Sequence, residues 1–370
     1  MSENAFELVK GSLVQRYQTP ASGVQAKPTQ QEIDELYQER ITPDTVLQPM
    51  KPLYRMNDVP CFYRGELVAD CGKAKSGKTF FLSILMAGAL KSQMLALERL
   101  TEEPLKVLWM DTEQSQQSTQ EILKERIMPM AGLESLDDTQ FYAFNFRGLG
   151  FDKRQKMVRV AICNIKPDLV IIDGIKDLMT DINDAVQATF IMEHLMALAK
   201  TENCCIVCVL HQNKSEQDRN MRGSIGTELT NKAFEVFQCE IIDDSDTFKV
   251  THTFSRKQKM KRKFYYRINE QGLPCECTDY QEQPRDAKGR FMSKQPKVDL
   301  HDFITTAMEG RSQRPFKEVM AIALKKCGIS DANTFYQLMN RATEEGIIHT
   351  VVQAETGNTW VVHDEGALPF

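Results

Sequence analysis

Residues 72–79 read Gly-Lys-Ala-Lys-Ser-Gly-Lys-Thr, and this run restricts the chain more than any other stretch. It matches G-x-x-x-x-G-K-[ST], the phosphate-binding P-loop, in the context that such a loop requires. Gly65-Glu-Leu-Val-Ala-Asp-Cys71 before it reads as a short buried strand, and residues 79–90 after it carry helical apolar spacing. A strand feeding a glycine loop that opens a helix aims backbone N–H groups and the positive end of the helix dipole at one point, where phosphates settle. Gly72, Lys73, Ala74, Lys75, Ser76, Gly77, Lys78, Thr79 and Phe80 are therefore the candidate nucleotide-binding residues. Lys78 is expected on the β- and γ-phosphates of ATP, and the Thr79 hydroxyl on Mg²⁺.

A chain of 370 residues has room for a large core and an accessory domain. No apolar run reaches the roughly 18 residues of a membrane span. The opening Met-Ser-Glu-Asn-Ala-Phe-Glu lacks the basic-then-apolar order of a signal peptide. These features predict a soluble, cytoplasmic protein with no membrane partner. Of the ten cysteines, Cys205 and Cys208 form a C-x-x-C, but inside an apolar run. Strand alternation there divides neighbouring thiols between two faces, so they read as reduced core thiols rather than zinc ligands. The net charge of -5 gives no global pull toward nucleic acid, so any such surface has to be local. Residues 256–263, Arg-Lys-Gln-Lys-Met-Lys-Arg-Lys, offer one.

Organisation follows from patterning. Residues 1–45 are polar and Gln-rich, with Pro20, Pro28 and Pro43, and read as an arm with a short acidic helix near 30–39. From 46 to 277 apolar strands alternate with helices. Lys106–Asp111, Phe141–Asn145, Asp168–Asp173 and Cys204–Leu210 are strands; 115–130, 152–165 and 184–200 are helices. That alternation predicts an α/β domain with a mainly parallel central sheet covered on both faces. Phe234–Ile242, Thr247–Phe254 and Phe264–Ile268 read as antiparallel strands. Residues 278–298 lack apolar periodicity and read as a linker. Residues 299–366 then give three helices and a hairpin around Glu355-Thr-Gly, the order of a small winged helix. Its third helix would present Asn333, Gln337, Asn340 and Arg341, a polar but barely basic face suited to duplex DNA or to a protein.

The chemistry gathers at strand ends. Asp173 closes Leu-Val-Ile-Ile, a strand expected beside the P-loop strand, so its carboxylate emerges where phosphates bind and can orient Mg²⁺ through water. Asp111-Thr-Glu113 follows another apolar strand. Hydrolysis needs a carboxylate against the attacking water, which makes Glu113 the candidate base and Asp111 the fallback. His211-Gln-Asn-Lys214 follows a third, where His211 can sense the γ-phosphate.

The order of these motifs resembles the RecA-like ATPases, especially the RepA-type plasmid replication helicases and, more distantly, the DnaB-type helicases. The likeness rests on Gly72–Thr79, Trp109-Met-Asp-Thr-Glu113, Val170-Ile-Ile-Asp173 and Leu210-His-Gln-Asn-Lys214 with Arg222-Gly-Ser-Ile-Gly226, over roughly residues 60–270. It implies a RecA-like P-loop fold with catalytic Lys78, Glu113, Asp173 and His211. It also implies a homo-oligomeric, hexameric ring with single-stranded DNA in its channel. The segment matching Ser215–Gly226 would meet that DNA through Lys214, Arg219 and Arg222. Arg256, Lys257 or Lys259 would reach into the neighbour's ATP as a trans finger. The long N-terminal helical domain of the DnaB type has no counterpart here. Two functions fit: a motor or helicase in replication or transfer of a mobile element, or a nucleotide-switched DNA-binding or assembly ATPase that recruits partners without unwinding. A small-molecule kinase ranks third, since no lid segment interrupts the sheet.

Overall fold

The computed structural model describes residues 27–213, 218, 220–242, 246–277, 280, 299–327, 329, 331–353 and 357–364. The chain divides into two compact units between Cys277 and Thr278. The expected linker at 278–298 lies outside the described residues apart from Tyr280.

The first unit opens with helix α1 (Gln30–Gln38), whose Thr29 and Glu32 form a reciprocal capping box. Strands β1 (Pro52–Met56) and β2 (Val59–Tyr63) follow as a hairpin through Asn57 and Asp58, both left-handed. Then come β3 (Leu67–Gly72), α2 (Lys78–Leu90), β4 (Gln93–Met94), β5 (Leu97–Arg99) and β6 (Val107–Asp111). Helix α3 (Gln116–Ile122) passes through a π-helical turn at Leu123–Ile127 into α4 (Met128–Ala131). β7 (Phe141–Asn145), α5 (Phe151–Ile165), β8 (Leu169–Asp173), a 3₁₀ turn (Ile175–Leu178), α6 (Ala185–Glu202), β9 (Cys205–His211) and α7 (Gly223–Lys232) complete the alternation. β10 (Glu235–Ile241), β11 (Thr247–Ser255), β12 (Phe264–Ile268) and β13 (Pro274–Glu276) close the unit.

A nine-stranded sheet runs in the order β13-β12-β11-β10-β3-β9-β8-β6-β7. From β10 to β7 every pairing is parallel; β11, β12 and β13 extend it antiparallel. One face buries α2, with Phe81, Leu82, Ile84 and Leu85 fully covered. The other buries α5, α6 and α7 through residues such as Ile162, Met192 and Ile225. Cys205 lies in the first core, and Cys204 and Cys208 in the second, so strand alternation separates the thiols. Among the described residues no helix is long and apolar enough to cross a membrane.

One expectation changes, and two features add to the expected fold. Residues 235–241 begin the antiparallel set as expected, β10 pairing antiparallel with β11, and on their other side they also run parallel to β3. The β8 strand that ends in Asp173 is not beside the P-loop strand, because β9 lies between them. Residues 52–99 also hold a separate antiparallel sheet, β2-β1-β5-β4, packed over α2. Glu235, fully buried at the head of β10, ties it to the main sheet by accepting the Phe62 N–H at 2.6 Å.

The second unit has helices α8 (Leu300–Met308), α9 (Phe316–Lys326) and α10 (Ala332–Glu344). They pack on a small antiparallel sheet of β14 (Gln313–Pro315), β16 (Thr359–His363) and β15 (Ile348–Val352), in that order. Phe303, Phe335, Leu338 and Val361 form its own core.

Candidate nucleotide site

The parallel strands bring the sequence motifs to one edge. Register pairs Gly72 with His211 across β3 and β9, and Asp111 with Asp173 across β6 and β8. A cavity of about 670 Å³ opens above that edge, walled by residues 74–80, Glu113, Asp173 and His211. The P-loop curls through Lys75 at φ 62° and Gly77 at φ 91°. Gly77 has a second reason to lack a side chain: a Cβ there would meet the Phe248 ring and the Tyr266 hydroxyl at 2.5 Å. That hydroxyl donates to Gly77 O at 2.8 Å, so β11 and β12 clamp the loop from the antiparallel side.

Lys78 lies folded onto its own loop, donating to Gly72 O at 3.1 Å and Lys73 O at 2.8 Å. Its ammonium also reaches His211 Nδ1 at 3.2 Å. The lysine donates, so Nδ1 accepts and the imidazole proton sits on Nε2, which faces Glu113 Oε2 at 3.5 Å. Glu113 Oε1 pairs with Lys176 Nζ at 2.9 Å. The hydrogen bond from His211 and the Lys176 ammonium hold the Glu113 carboxyl down to about 2, against the upward push of burial.

Asp111, the fallback base, is bound into its own loop. Its Oδ1 accepts the backbone N–H groups of Glu113 and Gln114, each at 3.0 Å, and its Oδ2 accepts Thr119 Oγ1 at 2.7 Å. Fully buried, it shapes the loop that presents Glu113. Asp173 is also buried; burial first, then the charges of Asp111, Glu113 and Asp70, push its carboxyl well above the carboxylate range.

These features fit a magnesium nucleotide. Ser76 Oγ is buried inside the loop without a hydrogen-bond partner. The crowded carboxylates around Asp173 are the surroundings that a divalent cation would relieve, and Thr79 at the head of α2 is half-buried on the cavity wall. Thr79 and Asp173 are the residues that would hold the metal.

The remaining candidates are placed less centrally. Lys214 and Arg219 lie outside the described residues; Arg222 is exposed at the head of α7, and its N–H donates to His211 O at 3.0 Å. Arg256 sits at the opposite edge of the sheet from its own P-loop, since Ser255 pairs with Glu235 and Glu235 with Val68. Its guanidinium donates to Ala233 O at 3.3 Å and Asn231 O at 2.7 Å. Lys257 Nζ lies 4.8 Å above the Tyr63 ring, and Lys259 is exposed.

One cavity residue, Arg126, and one residue paired with the cavity's Glu113, Lys176, escape sequence reasoning. Arg126, on the π-helical turn, lays its guanidinium 3.9 Å over the Phe80 ring. Lys176 follows the Asp173 strand by three residues. The sequence signal for Arg126 is a lone arginine in a helix; for Lys176 it is a lysine after the metal aspartate. Neither spacing by itself names a role.

Fold and site together are those of a P-loop nucleotide-binding domain built on a large, mainly parallel central sheet. A family model described as "AAA domain" matches residues 44–217. Among solved structures, a KaiC-like protein from the hyperthermophilic archaeon Pyrococcus horikoshii matches at 11% identity and a TM-score of 0.43, covering 58% of this chain and 91% of its own. No curated protein matches the chain.

Proposed function

We propose that the chain is an ATP-driven motor on DNA, a RepA-like helicase or translocase serving replication or transfer of a mobile element. One observation carries this reading. The His211 carbonyl accepts the Arg222 N–H, so the backbone of the residue expected to sense the γ-phosphate is bonded to Arg222, which belongs to the segment that would meet DNA. Loss of a phosphate at His211 then has a direct mechanical outlet.

In this reading Lys78 leaves the carbonyls of Gly72 and Lys73 for the β- and γ-phosphates of ATP. Glu113 takes the proton of the attacking water, and His211 bonds the γ-phosphate. Thr79 and Asp173 would hold Mg²⁺, which would supply positive charge against the phosphoryl oxygens. Arg256, Lys257 and Lys259 serve a neighbouring copy, because they stand at the edge remote from their own P-loop. A homo-hexameric ring is the assembly that this implies. The second unit's order of a helix, a strand, two helices and a hairpin supports reading it as a winged helix.

The test is the ATPase rate with and without oligothymidylate, alongside displacement of a strand from a forked duplex. A several-fold stimulation with ATP-dependent displacement is the expected result. A DNA-indifferent rate with the duplex left intact rejects the motor.

A second reading, a switched ATPase that recruits partners, draws on helix α10. Its one cation, Arg341, is paired with Glu345 at 3.6 Å, and its exposed residues Asn333, Gln337 and Asn340 are neutral amides. Phosphate contacts need cations to release counterions, so this face suits a protein better than duplex DNA.

A further inference from the structure

We infer that Lys176 is a latch that holds the base Glu113 out of service until the head of α7, at Arg222–Ser224, is engaged by single-stranded DNA. The inference rests on the reading of Glu113 as the base and deepens it. A base needs a carboxylate oxygen turned to the attacking water. Here both oxygens are taken: Oε1 by the Lys176 ammonium at 2.9 Å, and Oε2 by the His211 ring at 3.5 Å.

The two restraints differ in what can release them. His211 is bonded to Lys78, which turns to phosphate when ATP enters, so nucleotide alone alters that side. Lys176 has no such link to the P-loop. Its 3₁₀ turn is braced on all sides. Thr112 Oγ1 lies within hydrogen-bond reach of Asp173 O at 2.8 Å, Gly174 O at 3.1 Å and Asp177 Oδ2 at 2.8 Å. Arg154 Nη1 donates to Asp177 O at 3.1 Å, and Gln155 Nε2 to Leu178 O at 2.6 Å. Gly174, at φ 104°, brings the turn against the Glu113 loop so tightly that a Cβ would meet Thr112 Oγ1 and, at 2.9 Å, Glu113 Cγ.

A route out of the turn does exist. The residues just beyond it, Ile182 and Asn183, carry the head of α7. Ser224 Oγ donates to Asn183 O at 2.8 Å, and the Ile182 carbonyl lies so close to Gly223 that a Cβ there would stand 2.5 Å from it. Arg222 precedes them directly. A displacement of Arg222–Ser224 is therefore passed through Ile182 and Asn183 along the chain to the turn that bears Lys176. ATP frees one oxygen of Glu113 and DNA frees the other, which makes hydrolysis conditional on both. Lys176 is a positioning residue in this scheme: it acts only through Glu113.

The test uses the full-length protein and measures ATPase rate against ATP concentration, without DNA and with oligothymidylate. Lys176→Gln should raise the DNA-free kcat by roughly tenfold, within the range of ordinary allosteric couplings, with KM for ATP unchanged. Oligothymidylate should then add little. Lys176→Arg, which keeps the cation, should restore the low DNA-free rate. Lys176→Met, which keeps the methylene stem, repeats the test if the amide variant is poorly folded. A DNA-free rate that stays level or falls in both neutral variants overturns the latch. Glu113→Gln made alone and in the Lys176→Gln background separates the two ideas: turnover surviving in both shows that Glu113 is not the base, and the latch goes with it. Loss of turnover in both, with an unraised Lys176→Gln rate, rejects the latch and leaves the base in place.

Discussion

Two carboxylates on one loop, two residues apart, are given opposite tasks by their surroundings. Asp111 spends its lone pairs on two backbone N–H groups and a threonine hydroxyl; Glu113 faces the cavity between a histidine and a lysine. Glu113→Gln should therefore bind ATP with near-normal affinity and lose at least about 10²-fold in turnover. Asp111→Asn should instead cost on the order of 1–3 kcal/mol of stability, because one amide oxygen can still take the two N–H groups but the NH₂ then stands where Oδ2 accepted the buried Thr119 hydroxyl, which already receives the Asn145 amide. Paired ATPase assays and thermal melts read the two outcomes, and reversed effects would transfer the base role to Asp111. Asp70 gives a second residue-level expectation. Burial pushes its carboxyl up to about 7 from its ordinary 3.8, while Cys239 and Lys78 pull it back. Because the folded state holds this proton more tightly than the unfolded state, its contribution favours folding at low pH. That contribution is lost as pH rises from about 4 to about 7. Asp70→Asn should remove the slope and exceed wild type at pH 8 by on the order of 2–4 kcal/mol. Denaturant midpoints of both proteins at pH 5 and pH 8 check this, and equal differences at the two pH values would contradict it.

At the scale of elements, the sequence is most legible where a strand is long, apolar and fully buried. β3, β6, β8 and β9 read directly because both of their faces are covered, leaving runs such as Leu169–Ile172 without polar interruption. The motifs at their ends then come to one edge by parallel topology alone. Strand order is another matter: β9 slips between β3 and β8 although it follows both in sequence, and nothing in its residues fixes that neighbour choice. The β2-β1-β5-β4 sheet is hidden for a related reason. Its strands are two to five residues long, and β1 finds β5 only across the intervening β3 and α2. Lys176 and Arg126 stayed out of view because their meaning lies in tertiary neighbours, Glu113 and Phe80. The second unit makes an element-scale prediction. Its helices and small sheet enclose their own core around Phe335, and the buried Arg314 pairs with the exposed Glu309 at 2.8 Å. A fragment of residues 296–370 should fold alone with a stability of about 3–5 kcal/mol, and Phe335→Ala, costing about as much, should unfold it. Dispersed amide resonances and a cooperative melt are the expected signs. A collapsed spectrum for the unsubstituted fragment would mean that its core needs the rest of the chain.

For the whole molecule, the question is what completes the far side of the phosphate. Within one subunit Lys78 covers one side, and Arg256 stands at least four strand residues away along β3, roughly 13 Å. No rearrangement of a hairpin loop brings it to its own P-loop while the sheet is intact. A neighbouring copy has no such constraint, and a finger supplied in trans is worth about 10³–10⁵ in rate. The geometry also orders the candidates. Arg256 is spent on the Asn231 and Ala233 carbonyls at the end of α7, so Arg256→Ala disturbs that helix end as well as any finger. Lys257 rests on Tyr63 and Lys259 is exposed, and both are free of backbone duties through their side chains. Each cation is therefore to be replaced separately, with circular dichroism confirming the fold. The decisive experiment mixes Glu113→Gln subunits, which keep their fingers, with subunits that lack the finger and keep their base. Trans supply predicts that two poorly active proteins regain ATPase activity when combined, up to the fraction of interfaces that pair an intact base with an intact finger. Recovery should vanish on dilution below the assembly concentration. If every finger variant hydrolyses ATP normally at all protein concentrations, the basic run at 256–263 has no part in turnover. Its remaining use would be contact with nucleic-acid phosphates, which a shallower salt dependence of DNA binding in the same variants would register.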